Sequence, residues 1–234
     1  MITQKTAVNV PTAFPGGNPF GGDLGSSAGI ARAEDRVWVA PMIHLALVAA
    51  ALTASSESSW RPAGNVDGLK VEARDVAGSR FEELKVSSLI GKPLSSLCDA
   101  VWNRYAKLDG RFKKRVVIRE SDTERWTYEQ VRVPVVTDRD LVIHTHLISA
   151  APTGRCEVEF ESTTDPGYPK RNDHVRVGKV HGHWTLEPVA GGKVAMTYVI
   201  YSEPGGSVPA FLAERGMRNA AVDFVKVILA RASK

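Results

Sequence analysis

The stretch SVPAFLAERGMRNAAVDFVKVILARASK, residues 207–234, decides the fold. Ser207 can act as an N-cap, Pro209 sits where an early helical proline is tolerated, and no later proline interrupts the run, so the spacing predicts one long helix. At about 100° per residue, Met217, Ala221, Phe224, Val225 and Ile228 share a broad apolar face flanked by Val222 and Leu229, while Asn219, Asp223 and Lys226 gather opposite. About two dozen helical residues reach roughly 36 Å, enough to cross a small sheet. That face needs a partner, and the chain from 110 to 202 reads as strand throughout: 112–119, 125–133, 141–149, 156–163 and a final hairpin of 175–187 with 193–202 around Ala190-Gly191-Gly192. The expected class is α+β, a curved antiparallel sheet gripped by one C-terminal helix.

Further upstream, 68–74 and 80–86 read as strands, and Lys92-Pro93-Leu94 opens a helix carrying Leu97, Val101 and Tyr105, with Trp102 beside Val101. Residues 1–59 form a leader that is disordered by composition, containing Phe14-Pro15-Gly16-Gly17 and an apolar segment at 37–54 with signal-peptide length. The expectation is export to the periplasm or envelope, with a cytoplasmic protein as the alternative, and a folded domain over 60–234. The chain has 234 residues, 43% of them hydrophobic, and a formal charge of +4. Basic residues are scattered among acids, apart from Arg111-Phe112-Lys113-Lys114-Arg115, read as a solvated strand entrance. No nucleic-acid motif accompanies it. Cys98 and Cys156 lack metal-type spacing and read as two unlinked thiols, or as one bridge if the protein is exported.

Arg125-Trp126-Thr127-Tyr128-Glu129, Val136-Thr137-Asp138-Arg139-Asp140-Leu141-Val142, Gly182-His183-Trp184-Thr185-Leu186-Glu187-Pro188 and Pro204-Gly205-Gly206-Ser207-Val208-Pro209, in this order, resemble the START domain. The likeness is to bacterial members of this steroidogenic-acute-regulatory-protein-related lipid-transfer family, and it covers roughly 60–232. It implies a helix-grip fold with an internal hydrophobic cavity for one lipid or sterol-like molecule. It further implies a non-catalytic carrier or sensor, with possible transient contact with a membrane surface. Some relatives of this fold are polyketide aromatase/cyclases, the enzyme alternative. Several sterol-binding members carry an inward arginine where this chain has Thr145, so the polar group of the ligand is expected to differ.

The expected ligand-binding residues are Leu141, Ile143, Thr145, Leu147, Val158, Phe160, Thr185, Met196, Tyr198, Ile200 and Phe224, with the Thr145 and Tyr198 hydroxyls available to a ligand's polar end. Gly205-Gly206 and the 165–169 loop are the expected gates. The resemblance turns His144 and His146 to the opposite side; with His181 and His183 on separate strands, they read as solvent-facing imidazoles, and no metal or cofactor is expected. Asp138-Arg139-Asp140 reads as a structural ion pair at a strand corner. Glu157, Glu159 and Glu161 alternate with Val158 and Phe160 as the wet face of a strand. No nucleophile elbow or phosphate-binding glycine loop is present, so no catalytic residue is expected.

Overall fold

Asp67 and Gly68 both take positive φ, 52° and 79°, the backbone signature of a two-residue hairpin turn whose twist matches its strands. They join β1 (Arg61–Val66) to β2 (Leu69–Asp75). The structure, a computed structural model, describes residues 58–103, 112–133, 136–151 and 154–232, all within the compact unit Thr53–Lys234. Nearly all of the expected leader, including its apolar 37–54 segment, lies outside the described residues, as do Tyr105, Arg111 and Pro134.

After β2 come β3 (Glu82–Ile90), α1 (Leu94–Trp102), β4 (Phe112–Glu120), β5 (Glu124–Val131), β6 (Arg139–Ser149), β7 (Cys156–Ser162), the short β8 (Val175–Arg176), β9 (Lys179–Val189), β10 (Lys193–Glu203) and α2 (Ala210–Arg231). The strands form one open sheet in the order β1-β2-β3-β10-β9-β7-β6-β5-β4, antiparallel except for β8, which pairs in parallel with the start of β6. This is the curved antiparallel sheet with a terminal helix that the sequence predicts. Two features differ in detail: β1 leads the sheet where no strand is expected, and the 175–187 run divides into β8 and β9 around Val177-Gly178.

Helix α2 has 22 residues, roughly 33 Å of rise. Its N-cap is Pro209 rather than Ser207, and no side chain caps it. The extended backbone of Pro209 already delivers the chain into the first turn, so the serine stays outside. Ala221, Val222, Val225 and Ile228 are buried in the main core, and Met217, Phe224 and Leu229 pack against its edge. The helix lies closest to β2, β3 and α1.

Helix α1 begins after Pro93 and buries Leu97, Cys98, Ala100, Val101 and Trp102. It packs on β7 and β9 as well as on α2. That packing brings Cys98 to within 5.9 Å of Cys156, Cα to Cα, across 58 residues of sequence, and the two form a disulfide. The preferred reading of two unlinked thiols is thereby corrected. Sequence spacing carries no information about this approach, because the docking of a helix on a distant strand sets it.

Gly182 on β9 has a specific packing role. A Cβ there would lie 2.1 Å from the Val199 carbonyl oxygen and 2.6 Å from Cζ of Phe160, so the Phe160 ring occupies the space a side chain would need. Gly182→Ala is expected to destabilise the domain by about 1–3 kcal/mol, as overpacking of a dense core does. Urea unfolding measures this; an unchanged midpoint would mean that the two strands part freely at this point.

Candidate ligand-binding groove

Alternation along each strand gives the sheet two faces. The face turned to α2 is identified by its aromatic contacts: Trp184 and Tyr198 lie 5.9 Å and 5.6 Å from Phe224 of the helix, ring centre to ring centre, and 4.3 Å from one another. Phe160 joins this group 6.0 Å from Tyr198. Strand pairing extends the inner face in register, since Tyr198 opposes Trp184, Val158 opposes Trp184 from the other side, Leu147 opposes Val158 and Thr145 opposes Phe160.

Register and alternation therefore put Leu141, Ile143, Thr145, Leu147, Val158, Phe160, Met196, Tyr198 and Ile200 on one face of the sheet, the face on which Phe224 of the helix meets Trp184 and Tyr198. Thr185 stands apart. It pairs with Thr197 and faces away from the helix, so its expected place in the groove is corrected. The inward residues of β9 are Val180, Gly182, Trp184 and Leu186. Because the second of these has no side chain, the apolar alternation is interrupted where the sequence would show it.

The inner wall also carries a polar group that the sequence reading sends to solvent. Arg115 of β4 points inward and pairs with Glu129 of β5, Nη2 to Oε1 at 2.7 Å, with side-chain exposures of 4% and 2%. Nε of Arg115 donates to the same oxygen at 2.8 Å, and the Thr127 hydroxyl donates to it at 3.1 Å. Of the basic run, Lys114 is solvated and Lys113 pairs with Asp138. Period-two alternation was the available signal, since it turns every second residue of the run inward. On β6, the hydroxyl of Thr145 is buried and has no hydrogen-bond partner among the described residues.

At the start of β6, the Asp138-Arg139-Asp140 corner ties the chain together. Arg139 donates to the carbonyl oxygens of Thr137, Pro204 and Gly205, and its burial lowers its pKa from the ordinary value. It thus holds the hinge at which Gly205 and Gly206 take φ of 66° and 64°, a conformation that side chains disfavour. Beside this hinge lies a cleft of about 600 Å³ lined by Val136, Thr137, Arg139, Val175, Gly206, Ser207 and Val208. The 165–169 loop, the other expected gate, is anchored on the outer face instead: Tyr168 stacks on Tyr128 at 4.6 Å and Asp165 pairs with Arg119.

Asp140 is fully buried and takes two bonds from Arg176, at 2.9 and 2.8 Å, and one from the Tyr128 hydroxyl at 3.2 Å. Burial alone would raise its pKa, but Arg176 and Tyr128 outweigh that cost and hold it below the ordinary 3.8. A carboxyl depressed on folding contributes stability that is complete above its unfolded pKa and is lost as pH falls through the folded one. Stability is expected to drop in the acid range below about pH 4, and Asp140→Asn should flatten that limb in urea titrations at stepwise lower pH. An unchanged acid limb in the variant would assign the loss to other carboxylates.

With this geometry in hand, the comparison with known proteins is direct. A STAR-related lipid transfer protein from Xanthomonas axonopodis superposes with a TM-score of 0.65 at 26% sequence identity, over 75% of this chain and 99% of that one. The folded domain shares the START helix-grip fold. Human STARD10 shares the fold, with a TM-score of 0.64 at 19% identity over 75% of this chain and 73% of that one. An uncharacterised protein of Pseudomonas aeruginosa is 28% identical over 180 residues, 75% of this chain and 87% of the relative. No family model matches the sequence. In this START-like fold α2 packs against β2, β3 and α1, and Arg139 secures the Gly205-Gly206 turn leading into that helix.

Proposed function

We propose that this START-like domain encloses a single lipid or other hydrophobic molecule between its inner wall and α2, and acts as a non-catalytic carrier or sensor. The observation that carries the reading is the Thr145 hydroxyl, buried on the inner wall between Phe160 and Arg125 and without a hydrogen-bond partner among the described residues. A buried polar group left unsatisfied costs about 1–3 kcal/mol, a cost that a ligand's polar end would remove. The apolar residues around it would supply about 25 cal/mol for each Å² of ligand taken from water. The likeness to a bacterial lipid transfer protein at 26% identity points the same way. Two charges on the inner wall are paired with carboxylates, Arg115 with Glu129 and Arg125 with Glu120, which suits a host for neutral ligands better than a centre of acid–base chemistry. The hinge at Gly205 and Gly206, beside the cleft, is the proposed point of entry.

Native mass spectrometry of the protein purified from its own source tests this directly: the expected result is a co-purifying lipid in a one-to-one complex. Ile143→Trp, which fills the wall, should abolish uptake from vesicles. Thr145→Val should raise the melting temperature of empty protein while weakening retention of hydroxyl-bearing lipids. Protein that carries no lipid and extracts none from vesicles would overturn the proposal.

A further inference from the structure

The four histidines that read as isolated imidazoles are brought together by strand register. On the outer face of the sheet His146 stands opposite Glu159, and Glu159 stands opposite His183. Two residues along, His144, Glu161 and His181 form a second row on the same three strands. Directly opposed residues of antiparallel strands have Cβ atoms about 4.5–5.5 Å apart, so each row sets the Cβ atoms of two histidines about 10 Å apart with that of a glutamate midway.

The rows differ in what their rings already touch. His144 is stacked on Trp126 at 4.2 Å, with its Nε2 3.5 Å from Glu124. His181 lies 5.0 Å from the Tyr201 ring, with its Nε2 3.9 Å from Glu83. In the first row, His146 and Glu159 are exposed and His183 is half-buried. Glu159 and Glu161 make no ion pair with lysine or arginine among the described residues, and the ionic contact of Glu124 is with His144. In a chain with a formal charge of +4, these carboxylates thus have no lysine or arginine partner among the described residues and are interleaved with imidazoles.

We propose that His146, Glu159 and His183 form a binding site for a divalent cation of the zinc type on the outer face of the sheet. Among the described residues no three such donors are placed to hold a metal ion as the side chains stand; the proposed site requires His146, Glu159 and the half-buried His183 to turn toward one another. Two neutral imidazoles and one carboxylate suit zinc at bonds of about 2.0–2.2 Å, with the remaining positions open to water. The same donors favour zinc, nickel and copper over magnesium and calcium, which require more oxygens.

Isothermal titration of the full, tag-free chain with Zn²⁺ alone, in a buffer that does not chelate metal, provides the test. One Zn²⁺ per chain is expected, with no heat from Mg²⁺. His146→Ala and His183→Ala should each weaken binding about tenfold or more, while His181→Ala leaves it unchanged. These side chains lie on the surface, so circular dichroism should show every variant folded. NMR provides a second readout, as Zn²⁺ should shift the imidazole signals of His146 and His183. The site is overturned if no Zn²⁺ is taken up, if the His146→Ala, His183→Ala double variant binds as the parent does, or if the loss follows His144 and His181 instead.

Discussion

Replacing both Cys98 and Cys156 with alanine is expected to lower the melting temperature by on the order of 10 °C. The bridge closes a loop of 58 residues between α1 and β7. In the chain-entropy account a cross-link of that span removes about 4 kcal/mol of freedom from the unfolded chain, and a domain of this size loses about 2–4 °C for each kcal/mol. Both cysteines are buried, so folded protein should resist reductant and the difference should show most clearly between variants. Scanning calorimetry of the parent and the double alanine variant decides the matter. Coincident transitions would show that α1 docks on β7 with its full strength unaided.

Loss of the Glu129 carboxylate should be comparably severe. Glu129→Ala leaves the Arg115 guanidinium deep in the wall without its carboxylate, at a cost of about 3–5 kcal/mol. The pair as a whole is a different matter, because two desolvated charges only roughly repay their own burial. Arg115→Met combined with Glu129→Leu should therefore recover most of the stability lost in the single variant, and can exceed the parent. Urea unfolding of the parent, the single variant and the double variant measures both effects. A single variant as stable as the parent would mean that water reaches Arg115.

Most strands could be read in advance, because between 112 and 203 turns and apolar alternation recur at short intervals. The terminal helix was equally legible from its face of Ala221, Val225 and Ile228. What escaped the sequence was whatever depends on distance between elements. The bond between Cys98 and Cys156 needs α1 seated on β7. Arg115 reads as one charge in a solvated run until β5 lies beside it with Glu129 opposite. Strand β1 contains Pro62 and Gly64, residues that ordinarily argue against a strand, and it tolerates them through an irregularity in its pairing with β2. Thr185 was assigned to the wrong face because Gly182 hides the inward alternation of β9.

Among the described residues no strand lies beyond β1 or β4 at the two rims of the open sheet, and an edge strand is a template for strand addition by another chain. Both rims are blunted. Pro62 contributes no amide proton, and β1 slips register between Pro62 and Gly64; β4 breaks its regular pairing at Phe112/Lys114 and again at Val117/Arg119 and is lined with lysine and arginine. An open scaffold, whose flanks a closed barrel would hide, thus carries an obstacle to edge-to-edge polymerisation at each rim.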